Sequence, residues 1–288
     1  MWIDEHSQQQ QIAVAIVHGM GRQKPDFAVQ LQARLEHNVA GCFRKQGIVP
    51  QRAPCVFIPI YWAPLADQMQ DELENRIGLE ALCWRRLRSY IIGYLGDAIA
   101  YQPPLLRDQF LVDSIHREFR KKLAKLAGLC GSSAPLCVIS HSLGTVISSE
   151  YFKAVQQERM NSGTTPLASG RTLLLYYTTG SPIPIWAMRE RDYGSPPIVP
   201  SPSLRQWYPH ATGEWINFYS KFDTLGYPLK ALNEAYSRQV RKDMQVASGG
   251  WMSRYTPLSH NYYWDNKQVV AHIAGALVRS WLSVNADS

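Results

Sequence analysis

Ile12-Ala13-Val14-Ala15-Ile16-Val17 is an unbroken apolar hexamer that stops at His18-Gly19-Met20-Gly21. A strand apolar at every position has both faces covered, so this run predicts a buried parallel strand feeding a glycine loop. Asp26 is placed to cap a following helix, whose apolar stripe is Val29, Leu31, Leu35 and Val39. Val56 to Trp62 reads as a second strand, and Pro64 fits the first turn of the helix behind it. From Leu65 to Arg107 charged and aromatic patches alternate with no strand pattern, which predicts helix, arranged as an insertion over the sheet. Between Asp108 and Gly128, Ile115, Phe119, Leu123 and Leu126 recur at helical spacing, with Gly128 as the expected stop.

The second half repeats the alternation. Leu136-Cys137-Val138-Ile139 is a strand running into Ser140-His141-Ser142, and a helix is expected from Leu143 to about Arg159. Arg171 to Thr179 is another apolar strand, broken at Gly180-Ser181-Pro182. Seven prolines between Pro182 and Pro209 argue against regular helix or sheet there and for a surface loop. Trp215 to Phe222 is a further strand closing at Asp223, and the last helix spans roughly Asp265 to Leu282, with Val269, Ile273, Ala276, Leu277 and Trp281 inward. Strands alternating with helices predict an α/β fold, a mostly parallel sheet covered on both faces. With no internal repeat and no linker, 1–288 is expected to be one domain, with 65–107 and 182–213 as candidate lid or insertion segments.

Composition adds less than pattern. The hydrophobic fraction of 45% and charged fraction of 18% are globular values. A net charge of +7 raises the question of anionic partners, but the basic cluster Arg117 to Lys125 falls on the solvated face of the predicted helix. The other cluster, Arg85-Arg86-Leu87-Arg88, comes with no nucleic-acid signature, so no nucleic-acid partner is expected. A taste for anionic lipids or acidic substrates stays open. Five cysteines without a Cys-x-x-Cys pair suit neither a disulfide framework nor a zinc site; reduced thiols in a cytoplasm are the simpler account. The start of the chain lacks a secretory leader's basic and apolar regions. No run reaches the roughly 18 apolar residues of a membrane helix, since Asp97 interrupts Tyr90 to Tyr101. A cytoplasmic protein is expected, with peripheral membrane contact left open and no oligomeric state implied.

An alcohol is a poor nucleophile until a base takes its proton, and the base works best when a carboxylate orients it. Ser142 stands between a buried strand and a helix in Ser140-His141-Ser142-Leu143-Gly144, a sharp turn needing small residues two places to either side. Gly144 supplies one, and Ser140 stands where the usual pattern has glycine; capping the helix is the competing role for Ser142. Gly19 and Gly21 let the loop after the first strand curl, so the N–H groups of Met20 and Leu143 are the expected oxyanion donors. His18 supports that loop. A dinucleotide reading fails because Lys24 and Pro25 stand where a third glycine is needed.

Asp223 ends a strand, where open α/β sheets place their sites; Asp192 is the alternative acid, inside the proline-rich loop. His260 lies in a late loop just before the final helix. His272 is the rival base inside that helix, His210 the weaker one, and His141 is expected to shape the elbow without acting as base.

Together, Val17-His18-Gly19-Met20-Gly21, Ser140-His141-Ser142-Leu143-Gly144, Asp223 and His260 resemble the α/β-hydrolase superfamily, in particular its lipase- and esterase-like bacterial members. The resemblance runs from Ile12 to the final helix and implies a trimmed version of the fold. It implies nucleophile Ser142, acid Asp223, base His260, oxyanion donors Met20 and Leu143, and no metal or organic cofactor. It further implies a small-molecule or lipid ester as substrate. An acyltransferase or thioesterase would use the same groups, and a non-catalytic binding protein of the same fold is the alternative from another class.

Overall fold

The computed structural model describes residues 9–20, 23–77, 110–157, 164–251 and 255–286. Strands β1 (Ile12–Val17), β2 (Cys55–Ile60), β3 (Leu136–His141), β4 (Leu173–Thr179), β5 (Glu214–Tyr219) and β6 (Lys242–Gln245) form one sheet in the order β2-β1-β3-β4-β5-β6. Every neighbouring pair is parallel. Among the described residues the helices are α1 (Val29–Lys45), α2 (Ala63–Arg76), α3 (Phe110–Cys130), α4 (Leu143–Gln157), the one-turn α5 (Ile183–Ala187), α6 (Glu234–Gln239) and α7 (Lys267–Val284).

The apolar run of β1 is buried along its whole length because helices cover both of its sides. Ala13, Ala15 and Val17 share a core with α3 and α4, while Ile12, Val14 and Ile16 share one with α1 and α7. β2 is an edge strand, which explains how it tolerates Pro59: the missing N–H falls where no further strand needs it. From β1 the chain winds outward to β2, then returns to β3 and proceeds the other way. The crossovers that follow β1 and β3 therefore lead to opposite sides of the sheet, which makes the C-terminal edge between these strands a switch point, where sheets of this kind place their sites.

Several boundaries move for physical reasons. Val29 is exposed and Phe43 takes its place in the stripe of α1, whose N-cap is Ala28 and not Asp26. α3 continues past Gly128 to Cys130 and stops at Gly131, which adopts a φ of +103°. Ile115, Phe119, Leu123 and Leu126 are fully buried on it. β5 ends at Tyr219, so Asp223 lies beyond the strand on a turn. β6 was not predicted, since Lys242-Asp243-Met244-Gln245 has no apolar alternation and lies at the other edge.

The proline-rich segment corrects the expectation of a surface loop without regular helix. It contains α5 and two short 3-10 turns, and it is strapped along α4. Arg189 pairs with Glu150 at 3.2 Å, Glu190 with Lys153 at 3.0 Å, and the Ile198 N–H donates to Gln156 at 2.8 Å. Ser201 N–H then reaches the carbonyl of Leu173, at the start of β4, at 2.8 Å. The segment is the crossover from β4 to β5, carried to the end of the sheet away from Ser142. Of the other candidate insertion, 65–107, only α2 and Ile77 fall among the described residues; Cys83, the Arg85-Arg86-Leu87-Arg88 cluster and the aromatics from Trp84 to Tyr101 lie outside them.

Cys42, Cys55, Cys130 and Cys137 are free thiols, the last three buried. No helix among the described residues is long and apolar enough to cross a membrane.

Phe119 is fully buried and stacks on Tyr151 at 4.3 Å between ring centroids, locking α3 to α4. Phe119→Ala should cost about 3–5 kcal/mol of stability, measured by urea unfolding. A loss below about 1 kcal/mol would show that this interface is not the packed core described.

Candidate functional site

At the end of β3 the chain turns directly into α4, and Ser142 occupies the turn with φ +53°, a left-handed conformation uncommon for a residue with a side chain. Its N–H is held by the carbonyl of Thr179 at 3.0 Å, and its carbonyl accepts the Thr145 hydroxyl at 2.7 Å. The loop after β1 lies against this elbow. A Cβ on Gly19 would come within 2.5 Å of the Ser142 Cβ, and one on Gly144 would collide with the carbonyl oxygen of His18. Only glycines permit that approach.

Ser140, in the place usually held by glycine, is fully buried. Its hydroxyl lies 3.1 Å from that of Ser148, which in turn meets the Tyr176 hydroxyl at 2.7 Å. The extra polar atom is thus absorbed by a hydroxyl chain beneath the elbow.

Ser142, Asp223 and His260 converge from three separate segments. His260 Nε2 is 2.8 Å from Ser142 Oγ, and its Nδ1 is 3.0 and 2.9 Å from Asp223 Oδ1 and Oδ2. His260 sits in a 3-10 segment, Pro257–Asp265, and all three residues are buried. Burial pushes the Asp223 carboxyl up. The hydrogen bond and charge of His260, with the Leu225 N–H and the Tyr263 hydroxyl, outweigh it and hold the group below the usual carboxylate range.

Two further histidines fix the frame. His141 Nε2 donates to the carbonyl of His260 at 2.7 Å, with the two rings 4.8 Å apart. Burial and then the neighbouring His260 push His141 down to about 3. His18 Nδ1 donates to the carbonyl of Gly19 at 2.7 Å, and its Nε2 accepts the N–H groups of Trp62 and Ala63 at 3.1 and 3.3 Å, at the start of α2. The ring stacks on Trp62 at 4.7 Å, and Trp62 Nε1 donates to the His18 carbonyl. Burial pushes His18 down to about 4, only partly opposed by its bond to Gly19.

Met20 is buried beside this frame, and Leu143 opens α4, whose first N–H groups lack intrahelical partners. Gly21 lies outside the described residues. The rivals sit elsewhere. His272 Nε2 meets Glu214 Oε1 at 3.1 Å, at the start of β5 and so at the opposite end of the sheet. Asp192 is exposed in the 3-10 turn Arg191–Tyr193, and the His210 carbonyl meets the Ser283 hydroxyl near the end of α7. Among the described residues no group of three or more His, Cys, Asp or Glu is arranged to hold a metal ion. Tyr263 and Gly226 lie within three residues of His260 and Asp223 in the chain, but the sequence pattern assigns neither a role at the site, and Gly180 reads there only as the break after a strand.

The sheet order and the strand–elbow–helix turn define an α/β fold of the hydrolase type. No family model matches the chain, and no curated protein matches it. It is similar to a solved structure from Xanthomonas campestris pv. campestris described as a suggested hydrolase of the alpha/beta superfamily, with 13% identity, 93% of this chain and 96% of that chain covered, and a TM-score of 0.38. A likeness that distant says nothing of activity; the fold rests on the sheet and the elbow themselves.

The neutral His18 has a consequence for stability. The unfolded chain takes up a proton on this residue below about pH 6.5, which the folded state refuses until about pH 4. Stability therefore falls as pH drops through that window, by about 2 kcal/mol between pH 7 and pH 5 for this group alone. In His18→Gln the decline, followed by urea unfolding, should be shallower by that amount; equal declines would show that His18 does not titrate as described.

Proposed function

We propose that the protein is a serine hydrolase that cleaves carboxylic esters through an acyl-enzyme. The observation that carries this reading is the His260 imidazole, which spans from Ser142 Oγ at 2.8 Å to Asp223 Oδ2 at 2.9 Å. A nucleophile, its base and an orienting carboxylate in hydrogen-bond sequence form the arrangement that activates an alcohol.

In the proposed reaction, Ser142 Oγ attacks the ester carbonyl carbon as its proton passes to His260 Nε2. Asp223 accepts the Nδ1–H, fixing the tautomer that leaves Nε2 free to take the proton, and stabilises the resulting imidazolium. The carbonyl oxygen becomes an oxyanion on the N–H groups of Met20 and Leu143, each such donor contributing on the order of 3 kcal/mol to the transition state. The C–O bond to the alcohol breaks, the alcohol leaves with the proton from His260, and the acyl group stays on Ser142. Water, deprotonated by His260, then attacks the acyl carbon, and the carboxylic acid departs as Oγ regains its proton. His18 supports the oxyanion loop and His141 the loop of the base, neither exchanging a proton with substrate.

A fluorophosphonate probe tests the reading. Wild-type protein should acquire covalent label on the Ser142 peptide, Ser142→Ala should acquire none, and Asp223→Ala should lose about four orders of magnitude in nitrophenyl-ester turnover. Folded wild-type protein that takes no label under conditions that label a control esterase would instead favour a non-catalytic binding role.

A further inference from the structure

We propose that Tyr263 is a positioning residue of this reaction, its hydroxyl clamping Asp223 against His260 and tying the turn that bears the base to the end of β5. The inference rests on the ester-hydrolase reading above and adds to it a residue acting through the acid.

Tyr263 is fully buried. Its hydroxyl accepts the N–H of Ser220, the first residue after β5, at 2.8 Å and donates to Asp223 Oδ2 at 2.7 Å. A phenol has one proton to give. Receiving the backbone N–H commits that proton to the carboxylate and polarises the O–H bond toward it. The oxygen it meets is the same Oδ2 that lies 2.9 Å from His260 Nδ1. The other oxygen, Oδ1, is held at 2.8 Å by the Leu225 N–H. With both oxygens pinned, the carboxylate plane has no freedom to turn away from the imidazole.

Asp223 needs such a clamp because it lies past the strand end, on a turn whose neighbours Lys221 and Phe222 are exposed. Tyr263 supplies it from the same 3-10 segment as His260, so acid and base move as one unit. The space is shaped to match. A Cβ on Gly226 would strike Asp223 Oδ2 and come within 2.9 Å of the Tyr263 oxygen, and one on Gly180 would come within 2.8 Å of the Tyr263 ring. A buried tyrosine that merely packed would need one partner for its hydroxyl; this one bridges two segments and ends on the acid.

Against the Asp223–His260 pair, His141 from β3 brings its ring to 4.8 Å from that of His260, and the Tyr263 hydroxyl bonds the carboxylate. His18, from the loop after β1, acts electrostatically on His141, and Lys221 is two residues before Asp223 on its exposed turn. His141 and His18 stay neutral above about pH 4, and Lys221 is solvated, so the carboxylate and the phenol dominate the field at the base. Without the phenol, the whole carboxylate charge falls on His260. That favours imidazolium and moves the acidic limb of kcat/KM to higher pH, while a looser carboxylate lowers kcat.

The test is Tyr263→Phe in the full chain, assayed with a nitrophenyl ester across pH alongside thermal melting and fluorophosphonate labelling. The expected result is a fall in kcat of about 10- to 100-fold, the scale of one lost hydrogen bond to a charged group. KM should be little changed, the acidic limb should move upward, and label should still arrive at Ser142, more slowly. Should loss of the Ser220 acceptor unfold this variant, Gly226→Ala tests the clamp from the other side, with Tyr263 intact and the same fall in kcat expected. Folded Tyr263→Phe, or failing that Gly226→Ala, within about twofold of wild-type kcat and with an unmoved acidic limb overturns the positioning role and leaves the hydrolase reading standing, provided Asp223→Ala is impaired. Wild-type protein that takes no label overturns both.

Discussion

Two stretches of backbone approach one another at the C-terminal edge of the sheet more closely than any side chain would allow. The loop after β1 and the elbow after β3 meet through Gly19 and Gly144, and Ser142 is held in a left-handed turn between them. Everything else at the site is arranged around that contact. The sheet supplies the two strand ends at its switch point, and burial of β1 on both faces prevents either from drifting. A methyl group at either glycine would separate the loop carrying Met20 from the turn carrying Ser142.

Around this contact three histidines do different work because each nitrogen has a different partner. His18 accepts two N–H groups at the start of α2 and donates to its own loop, so it joins loop, helix and the Trp62 ring. His141 donates to the carbonyl of His260. Protonating His18 would remove the acceptor that Trp62 and Ala63 need, and burial makes that change costly. Only the His260 ring faces both a hydroxyl and a carboxylate, which is the distinction between a frame histidine and a candidate base.

The sheet was legible in sequence wherever a strand is covered on both sides. β1 is apolar throughout and β3 is apolar from Leu136 to Ile139, and both runs are fully buried. β6 left no trace, because an edge strand needs no alternation when its side chains are partly solvated. The proline-rich segment misled for a related reason: proline forbids long helices but permits single turns, and ion pairs to α4 hold those turns in place. The convergence of Ser142, Asp223 and His260 could be anticipated from their order along the chain. The partners of Ser140 could not, because Ser148 and Tyr176 reach it only through the packing of α4 on β3 and β4.

Asp223 shows most clearly why order along a chain underdetermines a site. A carboxylate past the end of β5 has many rotamers open to water and no local reason to face a histidine 37 residues later. What turns it inward is assembled from both sides of that gap: the Leu225 N–H from its own turn, and the Tyr263 hydroxyl from the turn that also bears His260. Each of these donors favours the ionised carboxyl, and together they offset the burial that would otherwise protonate it. The candidate acid is therefore defined less by its place at a strand end than by the donors that converge on it. Asp192 has the same carboxyl chemistry but is exposed in its 3-10 turn, where water solvates its charge and nothing requires it to serve an imidazole.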